Sequence, residues 1–242
     1  MALDQRKRQK NAEKRKAKQK ARQRALISQT RDELTFKLQR AASAPILHCC
    51  VQDELWANGI GQLLLSRSLP NGDVAFTILL LDTYCLGVKD VVLGIMTWIS
   101  YQEKITNGFL KEIAMLDLTP EGARKIVEGA VAYAGDLGLP PHADFKKAQF
   151  LFGDIDASTC TEVFEYGKDG KPFFVSGPYD SDYRCAQIVR MLANRLGTGG
   201  FHYMMSVPES QVLPNGKWSG AGLEFDEDFE PEFDDDEIDE DS

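Results

Sequence analysis

Residues 59–88 read GIGQLLLSRSLPNGDVAFTILLLDTYCLGV, and this stretch decides the fold class. Two apolar runs flank Pro70-Asn71-Gly72. An Asn-Gly pair between apolar runs is the strongest short-range hairpin signal, because both residues tolerate the positive φ of tight turns. The second run, residues 74–81, is nearly continuous rather than alternating. Such a strand is buried on both faces and belongs in the middle of a sheet. Gly87 then marks a tight turn or a close backbone approach. Residues 91–98 fit a third strand, although Leu93, Met96 and Trp98 also suit a helix.

Working outward, residues 119–137 carry the clearest helix. Thr119 is the N-cap, and Pro120 takes the first helical position. Ala123, Ile126, Val127, Ala130, Val131, Ala134 and Leu137 form an i, i+3, i+4 stripe. Gly138 and Pro140-Pro141 stop it. Gly129, Ala130 and Ala134 are small enough for close packing on a sheet. A shorter helix spans residues 144–152. Another runs over 183–196, with Cys185, Ile188, Val189, Leu192, Ala193 and Leu196 inward and Gly197 as its stop. Thr30 and Glu33 make a capping box for a short helix through Gln39, with Leu34 and Leu38 on one face. Residues 41–47, with Pro45, read as a connection. EVFEYG (162–167), Lys168-Asp169-Gly170 and KPFFVSG (171–177) suggest a second hairpin, and residues 201–207 a last strand. The expected class is α+β: one domain of antiparallel hairpins packed against two or more amphipathic helices. Its boundaries are 30–207, between a basic arm (1–29) and a linker with an acidic tail (208–242).

Charge separates along the chain. The formal net charge is −9, but residues 1–24 carry +9 and residues 224–242 carry −13. The arm holds good helix formers, no Gly or Pro, and no apolar stripe to bury. Its repelling cations would be relieved by a polyanion, with release of counterions. The tail spaces Phe225, Phe229 and Phe233 four apart, with Ile238 beyond. Pro231 interrupts any continuous helix there, and the composition favours disorder. No apolar run approaches the roughly 20 residues of a spanning helix. Five cysteines without framework spacing and no secretory signal predict reduced thiols in a cytoplasmic protein with no membrane contact.

LDTYCLGVKD (81–90), GARKIVEGAVAYAGDLGLPPHADF (122–145), and KPFFVSGPYDS (171–181) with GFHYMM (200–205) resemble a bacterial family of uncharacterised proteins with a Lys/Arg-rich leader. The resemblance covers residues 45–207. It implies a bacterial, single-domain cytoplasmic protein and supplies no catalytic residue.

The chemistry-bearing residues divide by class. Arg6, Lys7, Arg8, Lys10, Lys14, Arg15, Lys16, Lys18 and Lys20 are candidate phosphate contacts. Tyr179 and Arg184 head a set in which Lys168, Lys171, Arg190 and Arg195 interleave with Phe173 and Tyr183, a pattern that stacks single-stranded bases. The same aromatics also suit a core. Asp82, Asp90 and Asp154 are the candidate carboxylates for a divalent metal such as Mg; the alternative is that Asp82 and Asp90 cap turns or pair with Lys89 and Arg67. His48-Cys49-Cys50 lacks the second ligand pair that a zinc site needs, and buried thiols are expected at Cys85 and Cys185. His142 and His202 read as structural histidines, His202 half-buried. No GxxxxGK[ST], GxGxxG or GxSxG motif occurs.

The expected function is non-enzymatic: binding of RNA or another nucleic acid, or association with a ribosome, through the arm, without a cofactor, while the tail modulates affinity. A metal-dependent phosphodiesterase using the three aspartates is the first alternative. A module whose acidic tail grips a basic protein partner is the second.

Overall fold

The computed structural model describes residues 14–16, 18–20, 22, 33–178 and 180–205. Five antiparallel strands form the main sheet: β1 (Ile46–Gln52), β2 (Ile60–Ser68), β3 (Asp73–Asp82), β4 (Gly87–Thr97) and β5 (Met115–Asp117), in the order β4-β3-β2-β1-β5. β2 and β3 are the expected hairpin. The Gly72 N–H donates to the Leu69 carbonyl (3.0 Å) and the Leu69 N–H to that of Asp73 (2.8 Å). Gly72 sits at φ 85°. The connection is therefore a three-residue loop closed by a left-handed glycine. β3 lies between β2 and β4 and is covered on both faces, as its unbroken apolar run implies. Residues 91–97 are strand, and the helical turn begins only at Trp98.

Two layers cover the sheet. On one face, Cys49, Val51, Leu63, Leu65, Ala75 and Leu79 pack with the helix α1 (Pro120–Asp136) and with Leu38, Leu151 and Phe152. The Thr119 hydroxyl accepts from the Gly122 N–H at 3.1 Å, as the sequence indicates for an N-cap. On the other face, Cys50, Leu64, Val74 and Phe76 pack with Tyr101 and Ile105. Those two residues come from a helical segment that starts at Trp98–Tyr101, widens into a π-helix at Gln102–Phe109 and ends at Leu110–Glu112.

Residues 33–41 are helical, with Leu38 buried; Thr30 lies outside the described residues. The expected helix at 144–152 divides into an α-turn, Phe145–Ala148, and a 3-10 turn, Gln149–Phe152. α2 (Asp182–Leu196) is capped by Ser181, whose hydroxyl accepts from the Arg184 N–H, and buries Cys185, Ile188 and Leu192.

The expected second hairpin does not form. Only its tight turn is present, with Lys168 and Lys171 exchanging backbone hydrogen bonds around Asp169 (φ 53°) and Gly170 (φ 76°). Residues 161–166 are not a strand. Their aromatic side chains are used elsewhere: Phe164 stacks on Trp56 at 5.5 Å, and the Tyr166 hydroxyl donates to the Ile126 carbonyl at 2.9 Å. β6 (Phe173–Val175) instead pairs in parallel with β7 (His202–Met204), which is shorter than the expected 201–207 strand. β1 and β5 lie where the sequence pattern predicts no strand.

Candidate nucleic-acid interface

Lys14, Arg15, Lys16, Lys18 and Lys20 are helical and exposed, and so is Arg22. Helical geometry puts Lys14, Lys18 and Arg22 in one row and Lys16 and Lys20 in another. The cations therefore occupy two separate faces of the helix instead of a single stripe. Arg6, Lys7, Arg8 and Lys10 lie outside the described residues.

A second basic and aromatic patch assembles around the Lys168 turn. The Lys168 ammonium stands 5.1 Å above the Phe173 ring and 5.8 Å from that of Tyr84. Trp56, Tyr84, Val163, Phe164, Glu165, Gly167, Lys168 and Asp169 line an open cleft of about 530 Å³ here. Lys171 is tied to the Gly199 carbonyl at 3.0 Å. Phe174 belongs to the core, with no exposure, whereas its neighbour Phe173 is only partly buried. Arg184 and Tyr183 are exposed at the start of α2. Tyr179 lies outside the described residues.

The three aspartates have separate surroundings. Asp82 is buried, and its Oδ1 accepts from the N–H groups of Tyr84 (3.0 Å) and Cys85 (2.8 Å). Burial raises its carboxyl to about 6, against those backbone donors and the Lys89 charge. Asp90 is exposed. Its Oδ1 accepts from the Val91 N–H at 2.7 Å and lies 3.8 Å from His142 Nε2. Asp154 is exposed too. Among the described residues, no three His, Cys, Asp or Glu side chains are grouped so as to hold a metal ion.

Lys89 and Arg67 pair with other partners. Lys89 Nζ meets Asp180 Oδ2 at 2.7 Å, largely out of solvent. Burial would raise the Asp180 carboxyl, but the Lys89 ammonium and the Gly177 N–H outweigh it and hold it below the usual range. Arg67 is buried and donates to the carbonyls of Leu151, Ala44 and Phe152. It thereby ties β2 to two irregular segments.

His48, Cys49 and Cys50 are consecutive on β1, so their side chains alternate between the two faces. Cys49 joins one core and Cys50 the other. Burial pushes their thiols up to about 12 and about 11. Cys85 and Cys185 are buried, as expected. The His142 N–H donates to the Val88 carbonyl, and its Nδ1 accepts from the Asp144 N–H. His202 is exposed rather than half-buried.

Sequence reasoning missed one polar constellation. Ser66 and Tyr101 have no exposure, and their hydroxyls meet at 2.8 Å. Tyr101 Oη lies 2.9 Å from His48 Nδ1, and the His48 N–H donates to Ser66 Oγ at 3.1 Å. The available signal was Ser66 itself, a hydroxyl directly after Leu63-Leu64-Leu65 in a strand expected to be buried. Among the described residues, no helix is long and apolar enough to cross a membrane. Comparison with protein-family models, curated proteins and solved structures finds no match.

Proposed function

We propose that this protein binds RNA or another nucleic acid, free or within a ribosome, as a non-enzymatic accessory factor. The run of exposed, helical cations from Lys14 to Arg22 carries this reading. It has no apolar face to dock on a core, so its charge is open to a polyanion. Each phosphate it neutralises releases counterions, which makes affinity steeply salt-dependent and independent of base sequence. The Lys168–Phe173–Tyr84 patch adds a second cation beside aromatic rings. The tail, at −13, competes with phosphates for the arm. The surroundings of Asp82 count against the hydrolytic alternative, because two backbone amides already occupy one of its oxygens.

The test is single-stranded RNA binding as a function of salt, with the full chain and with a chain lacking residues 1–24. The expected result is a log–log slope of roughly 0.7 per neutralised phosphate, abolished with the arm, and tighter binding once residues 224–242 are removed. A flat slope, or equal binding by both chains, overturns the reading.

A further inference from the structure

We propose that His48, Tyr101 and Ser66 form an acid-sensitive latch that holds residues 98–112 against the sheet. The latch is independent of nucleic-acid binding. Two side-chain hydrogen bonds link the three groups, His48 Nδ1 to Tyr101 Oη and Tyr101 Oη to Ser66 Oγ. Each holds one hydrogen. The Tyr101 and Ser66 hydroxyls supply two, so both bonds are filled when Nδ1 carries none. Ser66 then donates to Tyr101, Tyr101 donates to Nδ1, and Ser66 Oγ also accepts the His48 backbone N–H. The network thus selects the neutral imidazole with its hydrogen on Nε2.

Protonation at Nδ1 brings a third hydrogen to two positions. Either the Tyr101 or the Ser66 hydroxyl is then left without an acceptor, and both residues have no solvent exposure to compensate. Burial holds His48 below the ordinary imidazole range. Asp117, on the neighbouring strand β5, is the described charged group whose field reaches His48; it favours protonation but does not prevail. Cys50 lies nearby in the same core, and burial keeps its thiol neutral.

The latch has a segment to release. Tyr101 is the largest side chain that residues 98–112 place in the sheet core, in edge contact with Phe76 and stacked with Trp98 and His48. The π-helix begins at the next residue. Such a helix is a sparingly stable form, and the Thr106 hydroxyl within it is buried with no hydrogen-bond partner among the described residues. Acidification therefore weakens the tie at Tyr101 of an already weak element, over the apolar surface of Cys50, Leu64, Val74 and Phe76.

The experiment uses the full chain with labelled histidine. Nitrogen–proton spectra report the His48 tautomer and its titration, and amide exchange, corrected for its intrinsic pH dependence, reports residues 98–112 from pH 7.5 to 5. The expected result is an Nε2–H tautomer. Protonation should lower the protection of 98–112 by about tenfold or more and spare β2 and β3. His48→Gln, which keeps an acceptor for Tyr101 without titrating, should remove this acid-induced loss at 98–112. An Nδ1–H tautomer, unchanged protection as His48 titrates, or an acid-induced loss of protection at 98–112 that survives in His48→Gln would each overturn the latch. The tautomer is read on the unsubstituted protein, so the test stands even if the variant does not fold.

Discussion

Gly87 rests directly on Ala130. A Cβ built on Gly87 would lie 2.8 Å from the Ala130 carbonyl oxygen and 2.9 Å from the Ala134 Cβ. The turn after β3 is thereby seated on the small face of α1, and Gly87 reaches it at φ 69°. Gly87→Ala meets both obstacles, a backbone oxygen that cannot swing aside and a left-handed conformation. It is expected to cost about 2–4 kcal/mol. Gly72→Ala, at φ 85° with nothing within 4 Å, carries only the conformational part, about 1 kcal/mol. Denaturant unfolding of the two variants checks this; equal losses would show that the close approach to α1 contributes nothing.

Arg67→Met removes the donor for three carbonyls in one step. The Leu151 and Phe152 bonds are buried, so their acceptors lose a partner without gaining water. A loss of about 3 kcal/mol is expected, with proteolysis appearing first near residues 42–45 and 149–152. Arg67→Lys, a point donor without the planar fork, should recover less than half. Full stability in Arg67→Met would refute the role.

Asp82 sets a pH dependence of known sign. Its folded pKa, about 6, lies above the ordinary carboxylate value because of burial. The unfolded chain therefore releases this proton first. The contribution is fully present below about pH 4, falls as pH rises through 6, and is then constant. Asp82→Asn keeps one acceptor oxygen for the Tyr84 and Cys85 amides. It should flatten this decline by about 2 kcal/mol between pH 4 and 7 and leave RNA binding intact. Thermal melts across that range, with parallel binding assays, decide it. An unchanged pH profile would place the titration elsewhere.

Replacing Lys14, Arg15, Lys16, Lys18 and Lys20 together by Gln should weaken RNA binding and reduce its salt slope by roughly 0.7 for each phosphate no longer neutralised. All five are exposed and Gln is a good helix former, so the melting temperature should stay within about 1 °C. A melting shift of several degrees would mean that these side chains support the fold.

The central hairpin, α1 and α2 were legible because each rests on local chemistry: Asn71-Gly72, the Thr119-Pro120 cap, and the apolar stripe of α2. The close approach at Gly87 and the small face of α1 were legible separately, but not that they touch. β1 was hidden. ILHCCVQ is covered on both faces and so does not alternate, and its inner polar residue, His48, satisfies itself on Tyr101, 53 residues away. β6 misled for the opposite reason. KPFFVSG follows a good turn, but Phe164 and Tyr166 pack on Trp56 and α1 instead of continuing a ladder, and Phe173–Val175 pairs with a strand near residue 203.

At the candidate interface, the sign and placement of charge in the arm follow from composition alone. Lys168 above Phe173 and Tyr84 does not, because Tyr84 reaches that patch only through the β3–β4 turn. By itself, then, the amino-acid order determined what is settled within a few residues: turns, caps, helical stripes, and the opposed charges of the two ends. Tertiary structure alone decided the pairing of β1 and β5, the π-helix over the second sheet face, the union of Ser66, Tyr101 and His48, and the separate surroundings of the three aspartates. These depend on burial. Whether a hydroxyl, an imidazole or a carboxylate keeps its water or must find a partner is set by which distant segment covers it, and local sequence does not specify that segment.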